Sequence, residues 1–354
     1  MKKKFGALLS VGLAASVMLA GCGSDTSKET KGGKDKKDFK VAMVTDVGGV
    51  DDKSFNQSAW EGLQRFGKEN GLAKDRNYKY LQSQSASDYQ PNLQRLVREN
   101  YDLVYGIGYL MQADVQKVAK QKPDAHLALV DSVVENQKNV ANILFKEQEG
   151  SFLVGLIAGS QTKTGKVGFI GGVTGPVIKR FENGFKAGVK TANPKAEVEV
   201  QYAEAFDKAE KGQQIANTFY DKGVDIIFPA AGATGNGVFT EAKNRAKNGK
   251  KVWVIGVDRD QYEEGLPEDV TLTSMVKKVD QAVFDVSKQT MDGKFPGGQV
   301  LNFGLKENGV GISSHKDHVT DKALKLVEEY KQKIIKGEVK VPGTDAEFKN
   351  FKVK

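Results

Sequence analysis

The chain has 354 residues, 39% hydrophobic and 28% charged, with one cysteine and a formal net charge of +8. One cysteine rules out a disulfide framework or a thiolate metal cluster, and the length allows two domains of ordinary size. Lysines are interleaved with acids and no basic stripe carries interspersed aromatics, so nucleic-acid binding is not expected.

Lys2, Lys3 and Lys4 precede an apolar run over 5–20 of about the length of a secretory h-region. Leu19, Ala20, Gly21 and Cys22 then resemble the lipobox of bacterial lipoproteins. This predicts a leader over 1–21, a mature chain beginning at lipidated Cys22, and anchoring on the extracytoplasmic face of the cell membrane. Loss of the three leader lysines lowers the net charge to about +5. Residues 23–38 carry no apolar side chain larger than the methyl of threonine, so 22–38 is expected to be a flexible tether. Its sixteen residues after the cysteine reach roughly 20–25 Å as a coil.

From Phe39 onward apolar runs alternate with amphipathic stretches. The pattern predicts strands over 41–46, 78–82, 103–106, 127–131 and 142–145. A second series follows over 167–171, 198–206, 226–230, 252–258 and 272–276. Helices are expected near 55–69, 88–99, 111–120, 149–161, 177–191, 208–222, 237–247 and 279–291. Strands such as 226–228 and 252–255 are continuously apolar, the pattern of a parallel sheet covered on both faces. The alternation predicts an α/β protein with two doubly wound lobes.

In such sheets ligands bind beyond the carboxyl ends of the strands. The residues expected there are Asp46, Asp131, Phe206, Gly232, Asp258 and Lys277. Each aspartate alone also fits a helix N-cap, and the glycines at 232, 235 and 237 also fit a plain strand–helix turn. Nucleotide-binding loops of the G-x-x-x-x-G-K-[ST] and G-x-G-x-x-G types are absent from the sequence, as is a G-x-S-x-G elbow. His315 and His318 make a poor metal pair, and Asp51 with Asp52 reads as a solvated loop. No nucleophile–base pair emerges, so neither an enzyme nor a cofactor or metal site is expected.

Residues 44–62 (VTDVGGVDDKSFNQSAWEG) resemble the opening signature of the basic membrane lipoprotein family, the purine nucleoside receptors of bacterial ABC importers. Further matches are GIG at 106–108, LVD at 129–131, EGSFLVG at 149–155, GFIGG at 168–172 and FENGF at 181–185. AFD at 205–207, IGVDRDQ at 255–261 and LTSMVK at 272–277 complete the set. The resemblance runs from Phe39 to the region of Gly311.

The resemblance implies a type I periplasmic-binding-protein fold whose two Rossmann-like lobes are joined by hinge crossings. One lobe would hold 39–145 with about 277–300, the other about 146–276 with the C-terminal segment. By the same resemblance Phe55 and Phe206 sandwich a purine, Asn56 and Asp131 read its polar edges, and Asp46 lies against the ligand. Gly232, Asp258 and Lys277 hold the ribose. The implied ligand is guanosine, inosine or adenosine, and the implied partners are an ABC permease and its ATPase, served by a monomer. The alternatives are a receptor of the same fold for riboflavin or a sugar, a nucleoside-processing enzyme, and an envelope antigen or adhesin without transport.

Overall fold

The structure is a computed structural model that describes residues 36–352. The expected leader, Cys22 and most of the tether lie outside the described residues. Lys36–Asp38, at the tether's end, form a single 3-10 turn.

The first five strands are β1 (Val41–Val44), β2 (Tyr78–Leu81), β3 (Leu103–Ile107), β4 (Leu127–Val130) and β5 (Val140–Phe145). Helices α1 (Phe55–Glu69), α2 (Tyr89–Arg98) and α3 (Gln112–Gln121) alternate with them. The second series is β6 (Lys166–Gly171), β7 (Glu197–Tyr202), β8 (Ile226–Ala230), β9 (Trp253–Asp258) and β10 (Thr271–Lys277). It alternates with α4 (Glu147–Gln161), α5 (Pro176–Ala192), α6 (Ala209–Asp221) and α7 (Thr234–Lys247). The chain closes with α8 (Val279–Met291), β11 (Val300–Phe303), β12 (Val310–Ile312), α9 (Asp321–Ile335) and α10 (Asp345–Lys349).

Two six-stranded sheets result, ordered β11-β5-β4-β3-β1-β2 and β12-β10-β9-β8-β6-β7. Every pairing is parallel except that of β10 with β12. The fully buried runs of β1, β3, β4 and β8 explain their unbroken apolar sequences. The chain passes between the lobes three times: at Phe145–Glu147, at Lys277–Val279, and between Phe303 and Val310. Helix α8 returns to pack on α1, where a side chain at Gly62 would collide with the Asp280 carbonyl. One apolar core runs through these crossings, joining Phe145, Phe152, Val279, Leu305 and Val310.

Three expectations on elements change. The strand predicted over 198–206 ends at Tyr202, so Phe206 sits in the loop that follows. Helix α7 begins at Thr234, three residues early, because Thr234 is buried and its hydroxyl bonds Ala205 O and Lys208 N. Strands β11 and β12 and helices α9 and α10 were not anticipated: both strands have four residues or fewer.

Each sheet reverses its winding direction once, between β1 and β3 in the first and between β6 and β8 in the second. Such switch points open a crevice at the carboxyl ends of the strands. Gly108 and Tyr109 follow β3, Asp46 follows β1, Gly172 follows β6 and Gly232 follows β8.

Candidate ligand-binding site

The two crevices face one another across a cleft that is partly open at the mouth. All eight residues expected at a ligand line it: Asp46, Phe55, Asn56, Asp131, Phe206, Gly232, Asp258 and Lys277. Tyr109 and Phe181, which sequence reasoning passed over, line it as well.

Phe55 is the first residue of α1 and is only partly buried. Phe206 reaches the cavity from its loop, held by Thr234 N–H donating to the Phe206 carbonyl at 3.1 Å. Its ring lies on Gly172, where a Cβ would sit 2.2 Å from Phe206 Cε1. Gly232, at φ 55, closes the turn below the same residue, with the Phe206 carbonyl 3.4 Å from where a Cβ would stand. The Tyr109 ring meets Phe206 edge-on at 6.3 Å, and its hydroxyl crosses to the other lobe to donate to Val173 O at 3.0 Å.

Asp52 is buried rather than solvated, which corrects the sequence reading of the 51–52 pair. Its carboxylate accepts from the backbone N–H of Ser54, Asn56 and Gln57 and so satisfies the free donors at the start of α1. The Asn56 amide then donates to both Asp46 Oδ1, at 2.7 Å, and Asp52 Oδ2, at 3.0 Å. Both of its donors are therefore spent on carboxylates. Burial, reinforced by Asp52, pushes Asp46 up to about 7.

Asp131 and Asp258 have left-handed backbones, at φ 71 and 63, directly beyond β4 and at the end of β9. Each uses one carboxylate oxygen within the protein. Asp131 Oδ2 accepts from Lys277 Nζ at 2.6 Å, and Asp258 Oδ2 accepts from Ser54 Oγ of the opposite lobe at 2.7 Å. The other oxygen of each, Oδ1, is buried without a partner. Burial pushes Asp258 up to about 6 against the pull of Lys277. It raises Asp131 in the same way, with Lys277 again opposing.

Lys277, expected with Asp258 on a ribose, donates within the protein to Asp131 and, at 3.3 Å, to Glu147. Its ammonium lies 4.8 Å from the Phe55 ring centroid and 5.5 Å from that of Phe181. Burial favours the neutral amine, but Asp131, Glu147 and Asp258 together hold the lysine above its ordinary value. The cavity thus offers aromatic faces, two free carboxylate acceptors and one ammonium: suited to a flat ligand rich in donors and unsuited to an anion.

The histidines play no part here. His315 pairs with Asp260, and His318 with Asp269 at 2.8 Å, on non-helical chain. No cluster of metal-ligating side chains occurs among the described residues.

The family model described as "Bmp: ABC transporter substrate-binding protein PnrA-like" matches residues 39–345. A CD4+ T-cell-stimulating antigen of Listeria innocua is 54% identical, over 96% of this chain and 99% of its own. The ABC transporter nucleoside-binding protein BmpA of Lactococcus lactis is 44% identical, over 97% of this chain and 99% of its own. Among solved structures, an ABC transporter solute-binding protein from Aeropyrum pernix K1 superposes with a TM-score of 0.80 at 30% identity. That match covers 88% of this chain and 96% of the other. With two doubly wound lobes around one crevice, these similarities identify a type I solute-binding fold and a binding protein rather than an enzyme. The chain belongs to the Bmp family of PnrA-like ABC transporter substrate-binding proteins.

Proposed function

We propose that this protein captures a purine nucleoside (guanosine, inosine or adenosine) between its lobes and delivers it to an ABC permease and ATPase. Lipidated Cys22 holds it on the extracytoplasmic face of the cell membrane, and the monomer stands off on the 22–38 tether. None of the described helices is long and apolar enough to cross a membrane. One lobe, 39–145 with about 277–300, closes on the other, about 146–276 with the C-terminal segment.

The observation that carries this reading is the pair of unpartnered buried oxygens, Asp131 Oδ1 and Asp258 Oδ1, in a cavity bordered by Phe55 and Phe206. A buried acceptor without a donor costs about 1–3 kcal/mol, so the site is built for a ligand that brings donors. A base N–H suits Asp131, ribose hydroxyls suit Asp258, and the rings accept the flat base. Gly232 lets the chain come close to the sugar, while Asp46 and Asn56 border the base. The name of the Lactococcus relative, a nucleoside-binding protein, supports the same ligand class.

The test is calorimetric titration with one purine as free base, 2′-deoxynucleoside, ribonucleoside and 5′-monophosphate, beside riboflavin and a sugar. The ribonucleoside should bind most tightly and the monophosphate poorly, since four carboxylates and one lysine line the cavity. Equal affinity for free base and ribonucleoside would remove the ribose assignment. Preference for riboflavin or a sugar would change the ligand class.

A further inference from the structure

Two charged side chains beside the site do not line the cavity: Glu147 and Arg180. The Glu147 side chain is 0% exposed and that of Lys277 1%. Glu147 Oε1 lies 3.3 Å from Lys277 Nζ, and Glu147 Oε2 accepts from Arg180 Nε at 2.5 Å. With the bond from Lys277 to Asp131 Oδ2, the charges alternate in a chain: Asp131, Lys277, Glu147, Arg180. Both central members stand at crossings between the lobes. Glu147 opens α4 two residues after β5 ends, and Lys277 is the last residue of β10 before α8.

We propose that Glu147 is a positioning residue for the nucleoside site: it takes a second N–H of Lys277 and so holds the ammonium on Asp131 Oδ2. This leaves Asp131 Oδ1 and the third ammonium hydrogen for the ligand. The inference rests on the nucleoside reading given above. Its physical basis is that a buried ammonium needs acceptors or neutralises. The groups facing Lys277 are Asp131, Glu147 and Asp258, and Arg180 balances Glu147 from behind. Because Glu147 and Lys277 flank crossings, where displacement is least when lobes swing apart, their bond outlasts opening and presents the lysine ready for ligand.

The test uses the mature full-length protein and the variants E147Q, E147D, R180Q and E147Q/R180Q. Inosine affinity is measured at pH 7. The ionisation of Lys277 is followed by NMR in the ligand-free protein, its signal assigned by loss in K277M. E147Q is expected to weaken inosine binding about tenfold at pH 7. It should also lower the pH at which Lys277 deprotonates in the ligand-free protein. E147D, which keeps the acceptor on a shorter arm, should fall between E147Q and wild type. The double variant should stay weak, because it restores charge balance but offers Lys277 a neutral amide oxygen in place of the carboxylate.

Wild-type affinity and an unshifted Lys277 titration in E147Q would overturn the proposal. So would full recovery in E147Q/R180Q, which would reduce Glu147 to a counter-charge for Arg180. A merely structural Glu147 would lower the melting temperature and move neither readout. If the wild type binds no purine nucleoside, the functional reading fails, while the ligand-free titration still decides whether Glu147 controls Lys277.

Discussion

At Asp131 and Asp258 a left-handed backbone aims one carboxylate oxygen at a protein donor and leaves the other free in the cavity. Such conformations cost of order 1–3 kcal/mol and persist where the surroundings enforce them. Asp258→Ala is expected to erase most of the preference for ribonucleoside over free base in calorimetry. Lys277 should keep its place in that variant, since its acceptors are Asp131 and Glu147. A variant that binds both ligands as wild type does would sever Asp258 from the sugar. Phe55→Ala and Phe206→Ala should each weaken a purine nucleoside by about 1–3 kcal/mol, the range for stacking on a base. Unchanged affinity in the double variant would make both rings packing residues. Six of the eight expected residues were legible because carboxyl ends of parallel strands share one edge, whereas Phe55 and Asn56, at the start of α1, were read from the family resemblance. Ser54, Tyr109 and Glu147 were not, because their partners come from distant segments: Asp258 lies 204 residues from Ser54.

The segment opening α1 does several jobs at once. Asp52 caps the helix, Lys53 O accepts from Gln261 Nε2 at 2.9 Å, and Asp52 O accepts from Asn236 Nδ2 at 3.3 Å. One turn further, Glu61 receives both Arg259 Nε, at 3.1 Å, and Nη2, at 2.7 Å. These bonds tie the start of α1 in one lobe to α7 and the end of β9 in the other, so opening the lobes breaks them. The Arg259–Glu61 pair is partly exposed, and such pairs contribute about 0–1 kcal/mol. Arg259→Ala should therefore speed ligand release up to about fivefold in stopped-flow measurements and leave the melting temperature of the ligand-free protein nearly unchanged. An unchanged release rate would show that closure rests on the buried bonds alone. The short strand β12 escapes sequence reading for a related reason. Its three residues gain their geometry from antiparallel pairing with β10, not from their own pattern.

For the whole molecule, the buried acids set the response to pH. Asp46 and Asp258 stand at about 7 and about 6 in the folded protein, against 3.8 for an ordinary aspartate. Between about pH 4 and 7 the native state therefore holds more protons than the unfolded chain, and stability from these groups falls as pH rises through that window. The ligand-free protein should melt higher near pH 5 than near pH 8. A ligand that donates to the Asp258 carboxylate favours its ionised form, so binding near pH 6 should release protons. Calorimetry in two buffers of different ionisation enthalpy reads this directly, and proton uptake would contradict the assigned donor. Localisation is a separate property of the whole chain: Cys22→Ser should free the protein from the membrane while leaving nucleoside affinity unchanged. Continued lipid labelling of that variant would refute the lipobox. What the sequence determined by itself was the fold class, the family and the strand-end edge on which a site must lie. Apolar periodicity is local, and the 44–62 signature is contiguous. Only the tertiary structure decided that Lys277 answers to Asp131 and Glu147, that Asn56 is committed to two carboxylates, and that Asp131 and Asp258 each keep one oxygen free. Those outcomes depend on which segments meet within and across the cleft, where burial makes each unpaired donor or acceptor costly and geometry selects the partner.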